Sequence, residues 1–419
     1  MKENILAGLD IGSTEIRLVI GQRNLDVDGR EKLQIIGAVS LPSEGISRGM
    51  VNNIEDVTSA ITACLEKAER LVGVPIHSVW VGINGPYVKC EKSRGVVAVS
   101  KNNGEIMEED VDRVIEAARA LSVPPNYEIL HVIPVRFTVD NQEDIKYPVG
   151  MTGIRLEVET LIIQGLTTQI KNLTKAIYRT GLEIEDLILS PLASAEVILT
   201  NKQKELGCAI INVGSSTTSL AVFEEGELLH TAVLPVGSEH ITSDIAIGLR
   251  CPIDLAEKIK LEYGSAKPER FNKEEFDSSK LSEDEGQEEN MVSMKYLAEI
   301  IEARVEEIFE KVDGEFKKIE RSGMLPAGVF LIGGGAQLGD IVEVAKKKLR
   351  LPATIGANKN VSTVIDKVNE QEFLTALGLV AWGDQLRNSR KGGKLNWPGQ
   401  DQVSGAVSAV SSWFKKLLQ

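Results

Sequence analysis

Residues 208–221 read CAIINVGSSTTSLA, and residues 5–20 read ILAGLDIGSTEIRLVI. Each is an apolar run, then Asp or Asn, then a Gly-Ser/Thr turn, then a second β-rich run. Both predict a strand, a tight turn and a returning strand. Taken singly, such a turn is ordinary hairpin chemistry, because Gly and small polar residues are what tight turns use. Two of them in one chain carry more. Glycine lets main-chain N–H groups converge on one anion without Cβ interference, and short hydroxyls add donors. Two such turns facing each other would clamp a ligand with several phosphates. Asp10, at the head of the first turn, can hold Mg2+ through its waters. The expectation is a duplicated α/β fold in which each half supplies one phosphate hairpin.

A third glycine turn fits the same picture. In LIGGGAQ (331–337), Gly333, Gly334 and Gly335 follow a buried strand and precede a helix. Such a turn admits a flat ligand or a phosphate close to the backbone, although it also serves as a plain connection. It is not a G-x-G-x-x-G at a first βα turn, and the chain has no G-x-x-x-x-G-K-[ST].

Composition narrows the classes. With 419 residues the chain is too long for one core, so two lobes are expected. The 42% hydrophobic and 26% charged content suits a soluble globular protein. A net charge of -14 argues against general nucleic-acid binding, which needs a basic surface. Cys64, Cys90, Cys208 and Cys251 are scattered, as are His77, His131, His230 and His240. Neither a disulfide framework nor a structural metal site is expected, and a reducing cytoplasm fits. No apolar run approaches the ~20 residues of a membrane span. Asp10, Glu15 and Arg17 interrupt the first apolar stretch, unlike a signal peptide.

Along the chain, 5–20 and 33–41 read as a strand meander and 53–72 as a helix with Ile54, Val57, Ile61, Leu65, Ala68 and Val72 on one face. VWVGING (79–85) is a buried strand. Three strand-like stretches and one helix near 108–121 then give residues 84–165 the texture of an α+β insert. Helices are expected at 167–181, 238–249, 253–263, 291–320 and 371–387, with strands at 184–189 and around 208–221. Residues 267–290 hold nine acidic and four basic residues and read as an exposed loop. A polar linker, 388–402, precedes a last segment of different character.

Three glycine turns in this order and spacing resemble the actin / Hsp70 / sugar-kinase superfamily. LDIGST looks like the first phosphate loop, INVGSST the second, LIGGGAQ the adenosine loop, and SPLASAEVIL and LTALGLVAWG the two helices that cross between lobes. HVIPVRFTVDNQEDIKYPVGMTGIRLEVETLII (131–163), ITSDIAIGL (241–249) and AEKIKLEYGSA (256–266) resemble, more narrowly, the FtsA family of bacterial cell-division proteins. That resemblance implies an actin-like two-lobed ATPase fold with an inserted α+β subdomain and a C-terminal amphipathic helix. Its parts would be 1–83 with 166–195 and 374–388 as the first lobe, 84–165 as the insert, and 196–373 as the second lobe. A partner-binding region would lie at about 229–320, a linker at 389–402 and a membrane-targeting helix at 403–419. The implied function is ATP binding, polymerisation and tethering of the tubulin-like FtsZ ring to the cytoplasmic face of the membrane at the division site. Other division proteins could meet the insert.

The same resemblance assigns residues. Gly12, Ser13, Thr14 and Arg17 would meet the β- and γ-phosphates from one side, and Gly214, Ser215, Ser216 and Thr217 from the other. Asp10 and Asn212 would face Mg2+ through water. Glu257 and Lys260 would line the adenosine, backed by Gly333, Gly334 and Gly335, while Arg304 would receive the acidic C-terminal peptide of FtsZ. Asn212 stands where the second loop normally opens with Asp. It drops a charge and cannot act as a base, so at most slow hydrolysis is expected, and no residue presents itself as the one orienting water. Two readings compete: a PilM-type pilus-assembly relative and a sugar or acid kinase of the same fold. The kinase would need a base near the γ-phosphate that no motif supplies.

The tail VSGAVSAVSSWFKKLLQ places Val403, Val407, Val410, Phe414 and Leu417 at alternating spacings of 4 and 3, flanked by Trp413 and Leu418. Serines, Lys415 and Lys416 fall opposite. This is the composition of an interfacial anchor for anionic lipid.

Overall fold

The structure is a computed structural model that describes residues 5–25, 31–101, 103–120, 124–281 and 290–391. The stretch 5–20 forms the expected hairpin. Strands β1 (Ile5–Ile11) and β2 (Glu15–Leu25) pair antiparallel from Ile5↔Gln22 to Ile11↔Ile16, and β3 (Glu31–Pro42) pairs with β2. A small ribbon, β4 (Ile46–Ser47) and β5 (Met50–Val51), leads to helix α1 (Ile54–Val72). Asn53 caps α1 by accepting from the Glu55 N–H, and Gly73 ends it at φ 71°. The predicted stripe is its buried face: Val57, Ile61, Leu65 and Ala68. Strand β6 (Ser78–Ile83) then lies parallel to β1.

The insert follows. Strands β7 (Val88–Ala98), β8 (Tyr127–Val139), β9 (Gln142–Ile145) and β10 (Arg155–Leu166) make one sheet in the order β7-β10-β8-β9, and α2 (Glu108–Ala120) packs on it. Part of it builds a separate core from Ile106, Val114, Phe137, Leu156 and Val158 among others, while Leu130, Ile133, Leu161 and Ile163 join the main core. At the root, the Leu189 N–H donates to His131 Nε2 (3.3 Å), and burial pushes that imidazole down to about 4, so it is neutral. The chain returns through α3 (Thr167–Tyr178), β11 (Glu183–Leu189), α4 (Ser190–Ile198) and the short α5 (Asn201–Leu206).

Residues 208–221 open the second sheet. Strands β12 (Cys208–Val213), β13 (Thr218–Glu224) and β14 (Glu227–Leu234) form a meander, followed by α6 (Ser238–Leu249) and α7 (Ile253–Tyr263). Next come β15 (Glu275–Asp277), β16 (Met291–Ser293), α8 (Met294–Lys318), β17 (Gly328–Ile332), α9 (Ile341–Leu349), β18 (Ala353–Ile355) and α10 (Leu374–Lys391). The duplication is visible in topology. The first sheet runs β3-β2-β1-β6-β11 and the second β14-β13-β12-β17-β18: an antiparallel meander on one side of the hairpin, two parallel strands on the other.

Three expectations need correcting. The acidic stretch 267–290 is not all irregular loop, because Phe276 and Val292 are buried and their strands pair, Phe276↔Val292. Two apolar side chains in a charged run were enough to anchor a ribbon. The same pairing takes residues 291–293 out of the long helix, which starts at Met294 with Ser293 as its cap. Helix α10 runs on to Lys391 and so takes residues 388–391 out of the linker; the remainder of the linker, from 392 onward, and the last segment, 403–419, lie outside the described residues.

The insert rests against the second sheet's β13–β14 turn. Lys146 Nζ donates to the Glu225 carbonyl (2.6 Å), and Arg321 grips Glu224 with three bonds of 2.7–2.9 Å. A small cavity at this junction is lined by Val135, Arg136, Asp144, Lys146, Glu224 and Glu227. Glu227 Oε2 is buried there without a hydrogen-bond partner. Burial pushes this carboxyl up to about 7, with Glu205 adding to the rise and Lys146 and Lys204 opposing it. An acid with a raised folded-state pKa stabilises the fold below its unfolded value and loses that contribution as pH climbs through the folded one. Glu227→Gln should therefore gain of order 1 kcal/mol at pH 8 and nothing at pH 4.5, which thermal unfolding between those pH values will show.

Candidate nucleotide site

Both hairpins close in the same way. The Gly12 N–H donates to the Glu15 carbonyl (3.0 Å), and the Gly214 N–H donates to the Thr217 carbonyl (2.9 Å). The flanking ladders end in equivalent pairs, Ile11↔Ile16 and Val213↔Thr218. The turn 45–51 and the end of β6 lie between the two. The Gly49 N–H donates to Ser13 Oγ (3.2 Å), and Asn84 Nδ2 donates to Thr217 Oγ1 (3.4 Å). Thus Gly12, Ser13 and Thr14 come within reach of Gly214, Ser215, Ser216 and Thr217 across one cleft.

The second turn is braced from behind by α6. The Ser238 and Glu239 N–H groups donate to the Gly214 and Ser215 carbonyls (both 2.9 Å). Gly237 permits this approach, since a Cβ there would lie 2.6 Å from the Gly214 oxygen and closer still to that of Ser215. Glu239 also accepts from Ser216 Oγ (2.6 Å) and Ser215 Oγ (3.4 Å). These hydroxyls therefore already have an acceptor.

Asp10 is half-buried and takes no hydrogen bond from any described side chain. Desolvation pushes its carboxyl up to about 6, against the pull of Arg17. Asn212 has a different setting. It is buried, Gly333 packs over its Oδ1, and its Nδ2 donates to Thr375 Oγ1 (3.4 Å), which in turn pairs with Ser194 Oγ (3.1 Å). The side chain expected to face Mg2+ is thus engaged in joining β12 to α10 and α4.

Glu257 and Lys260 do sit together. Lys260 Nζ, buried, donates to Glu257 Oε2 (2.6 Å) and to Thr242 Oγ1 (2.9 Å). The three glycines of the third turn differ in purpose. Gly333 has φ 85°, and Gly335 lies under Val213, where a Cβ would meet Cγ1 at 2.6 Å. Gly334 faces open space, with only Glu372 Oε1 near, at 3.9 Å from a built Cβ. Of the three, Gly334 alone has no packing reason to be glycine.

Arg17 Nη2 donates to Glu15 (2.6 Å) and to Glu372 (3.1 Å), and its Nη1 lies 3.8 Å from a Cβ built on Gly12. Arg304 is not a free cation. It clamps Asp244 through Nε (2.6 Å) and Nη2 (3.0 Å) and also pairs with Glu307. The stripe it interrupts is core, with Ile301, Val305 and Ile308 buried and Tyr296 exposed.

Three residues escaped the sequence reading. Glu239 and Glu372 carry no motif. Ser190 heads α4, and its hydroxyl is buried and unpartnered. A Cβ built on Gly82 would lie 3.0 Å from Ser190 Oγ and 3.2 Å from Asp10 Oδ1, so the two groups face one gap. A serine at a strand–helix junction was the only available signal.

Comparison with known proteins gives consistent matches. The family model "Cell division protein FtsA" matches residues 209–378, and "SHS2 domain inserted in FTSA" matches residues 85–164. The chain is 35% identical over 410 residues to the cell division protein FtsA of Bacillus subtilis, covering 97% of this chain and 90% of the relative. It is 34% identical over 384 residues to that of Pseudomonas aeruginosa, covering 92% and 90%. Among solved structures it is similar to a PilM–PilN type IV pilus biogenesis complex (TM-score 0.65, 16% identity, 90% of this chain and 98% of that one). It is also similar to MreB5 of Spiroplasma citri bound to ADP (TM-score 0.54, 12% identity, 94% and 100%). At those identities the structural matches speak for the actin-like fold alone.

The glycines make a direct test. Gly333→Ala forces a Cβ into the left-handed region and against Asn212, and should cost about 2–4 kcal/mol. Gly334→Ala should leave unfolding within about 0.5 kcal/mol of the parent. Equal denaturation midpoints for the two variants would overturn this division of roles.

Proposed function

This chain belongs to the FtsA family of cell-division proteins, and from that premise we propose that it binds ATP with Mg2+ between its two hairpins, assembles with copies of itself at the division site, and holds the C-terminal peptide of FtsZ at the cytoplasmic face of the membrane. The observation that carries the ATP reading is the paired turn. Two equivalent sheets present the same glycine-led hairpin to one cleft, and Gly334 leaves backbone open beside it. An ADP-bound structural relative shares the fold.

The residues fit Mg2+ at one point better than at the other. Asp10 offers a carboxylate that lacks a side-chain donor, whereas Asn212 is committed to Thr375. Mg2+, when present, would supply charge neutralisation to the phosphates while keeping most of its waters. The chain's own part is to bind and orient. Main-chain N–H groups at Gly12 and Gly214 fix the turns, Arg17 adds a cation, and the Glu257–Lys260–Thr242 cluster shapes the adenosine end. Ser190 is the best-placed hydroxyl for holding a water near Asp10. Of these groups Asp10, its carboxyl pushed up to about 6, is the one best suited to act as a base.

For the FtsZ peptide, Arg304 supports the reading with a condition. An acidic peptide must win it from Asp244 and Glu307, so binding there is an exchange of partners. For the membrane, no helix among the described residues is long and apolar enough to cross it. The amphipathic stretch 403–419 supports peripheral attachment. One such helix binds weakly, and many along a filament bind tightly. The PilM-type alternative rests on fold alone, and no motif places the base that a kinase would need.

Gly214→Val tests the ATP site, with its unfolding midpoint read beside its affinity, because a Cβ there would crowd the Thr217 carbonyl at 3.0 Å. Calorimetry should show MgATP affinity lowered by roughly 100-fold or more, and unchanged affinity would sink the site. Co-sedimentation with anionic liposomes and a labelled FtsZ C-terminal peptide tests the rest. Deleting 403–419 should release the protein from lipid with ATP binding intact, and Arg304→Glu should leave it on lipid but lose the peptide. A truncated chain that sediments like the full one would place the anchor elsewhere.

A further inference from the structure

Glu372 stands just before α10 and belongs to no motif. Its two oxygens reach opposite walls of the cleft. Oε2 accepts from Arg17 Nη2 of the first hairpin strand (3.1 Å), and Oε1 accepts from Gln337 Nε2 of the third glycine turn (3.1 Å). The ends of this strap are marked by glycines. Arg17 Nη1 lies 3.8 Å from a Cβ built on Gly12, and Glu372 Oε1 lies 3.9 Å from one built on Gly334. Those are the phosphate glycine of the first turn and the open glycine of the third, so the carboxylate lies along the line a nucleotide would occupy between them.

The Arg17 guanidinium is also under-used. Its Nε is buried without a partner, while Nη2 is shared between Glu15 and Glu372. Such a group gains from a doubly charged oxyanion that can take several of its donors at once. Glu15 is held in place on its own account, since its Oε2 also accepts from Ser40 Oγ (2.7 Å). Glu372 is the more loosely held of the two, since both of its bonds are 3.1 Å against 2.6 and 2.7 Å for Glu15.

We propose that Glu372 is an internal competitor for phosphate. In the ligand-free protein its carboxylate straps Arg17 to Gln337 across the cleft, and a phosphate-bearing nucleotide must displace it to reach Arg17. This rests on the nucleotide reading above. The strap exists only in the ligand-free state, so it stabilises that state and weakens nucleotide binding by the same factor. A leaving carboxylate also removes a negative charge from beside the phosphates. Adenosine without phosphate makes no demand on Arg17 and feels the strap little. Glu372 thereby sets how strongly the site distinguishes phosphorylated from unphosphorylated ligand.

The test is calorimetry of ATP, ADP and adenosine on the full chain, beside Glu372→Gln and Gln337→Ala. Glu372→Gln keeps the shape and removes the charge. It should bind ATP and ADP roughly tenfold more tightly, change adenosine by less than about twofold, and melt about 2–4 °C lower without ligand. Gln337→Ala, which cuts the other end, should move in the same direction by less. A purely structural Glu372 would lower stability and affinity together. ATP affinity that is unchanged or weaker in folded Glu372→Gln therefore overturns the proposal. A parent chain that binds no ATP would instead overturn the nucleotide reading beneath it, and the two failures are told apart by the parent's own titration.

Discussion

The crossing of α4 and α10 is the contact on which the rest depends. Gly378 lies so close to the Ala193 carbonyl that no side chain could stand there, and Ala376 meets Gly8 of β1 in the same manner. Backbone-to-backbone approach of this kind tolerates only small residues, and both helices are buried along nearly their whole first turns. Polar groups lock the crossing. Ser194, Thr375 and Asn212 form a chain of hydrogen bonds from α4 through α10 to β12. In that low-dielectric place an unpaired hydroxyl or amide would cost more than the bonds gain, so the geometry is specific. From it follows the facing arrangement of the two sheets, and hence the meeting of the two hairpins at one cleft.

The cleft is electrostatically occupied without any ligand. Arg17 is shared by Glu15 and Glu372, the hydroxyls of Ser215 and Ser216 point to Glu239, and Lys260 is shared by Glu257 and Thr242. Donors that wait for a highly charged ligand cannot be left bare in a half-buried site, because desolvation without a partner is costly. Internal acids supply those partners here. On the proposed reading, nucleotide binding would be an exchange of one set of acceptors for another, and its strength a difference between two similar quantities. Arg304 is likewise engaged, clamped on Asp244 by two bonds, so a peptide proposed to bind there would be a competitor.

The insert obeys separate rules. It has a core partly its own and a single sheet with one covering helix. It meets the second sheet through Lys146, Arg136 and the acidic β13–β14 turn, where Glu227 is left without a partner. The junction is not only polar, since Leu130, Ile133, Leu161 and Ile163 of the insert belong to the same buried cluster as Leu228 and Val233 of β14, and this shared apolar packing ties the insert to the body. Fold likeness to a pilus-assembly protein and to MreB5 thus coexists with a distinct function, because partners are met on surfaces that the shared core does not dictate.

Local pattern carried much of this protein. Apolar runs broken by GST and GSST determined two hairpins, the spacing from Ile54 to Ala68 determined α1 and its buried face, and repetition of one turn implied the duplicated sheets. These are properties of a few consecutive residues, so the sequence alone expresses them. Where the local signal was thin, the reading failed: Phe276 and Val292 pair within a charged run, and the strands β14 and β18 lack a clean alternation. The side-chain partners were beyond reach for another reason. Glu372 meets Arg17, Asn212 meets Thr375 and Glu239 meets Ser216 only because helices and sheets far apart in the chain pack at one crossing. Sequence determined where the glycine turns form; tertiary packing decided which charges stand beside them, because an ion pair between distant residues is set by where the backbones cross.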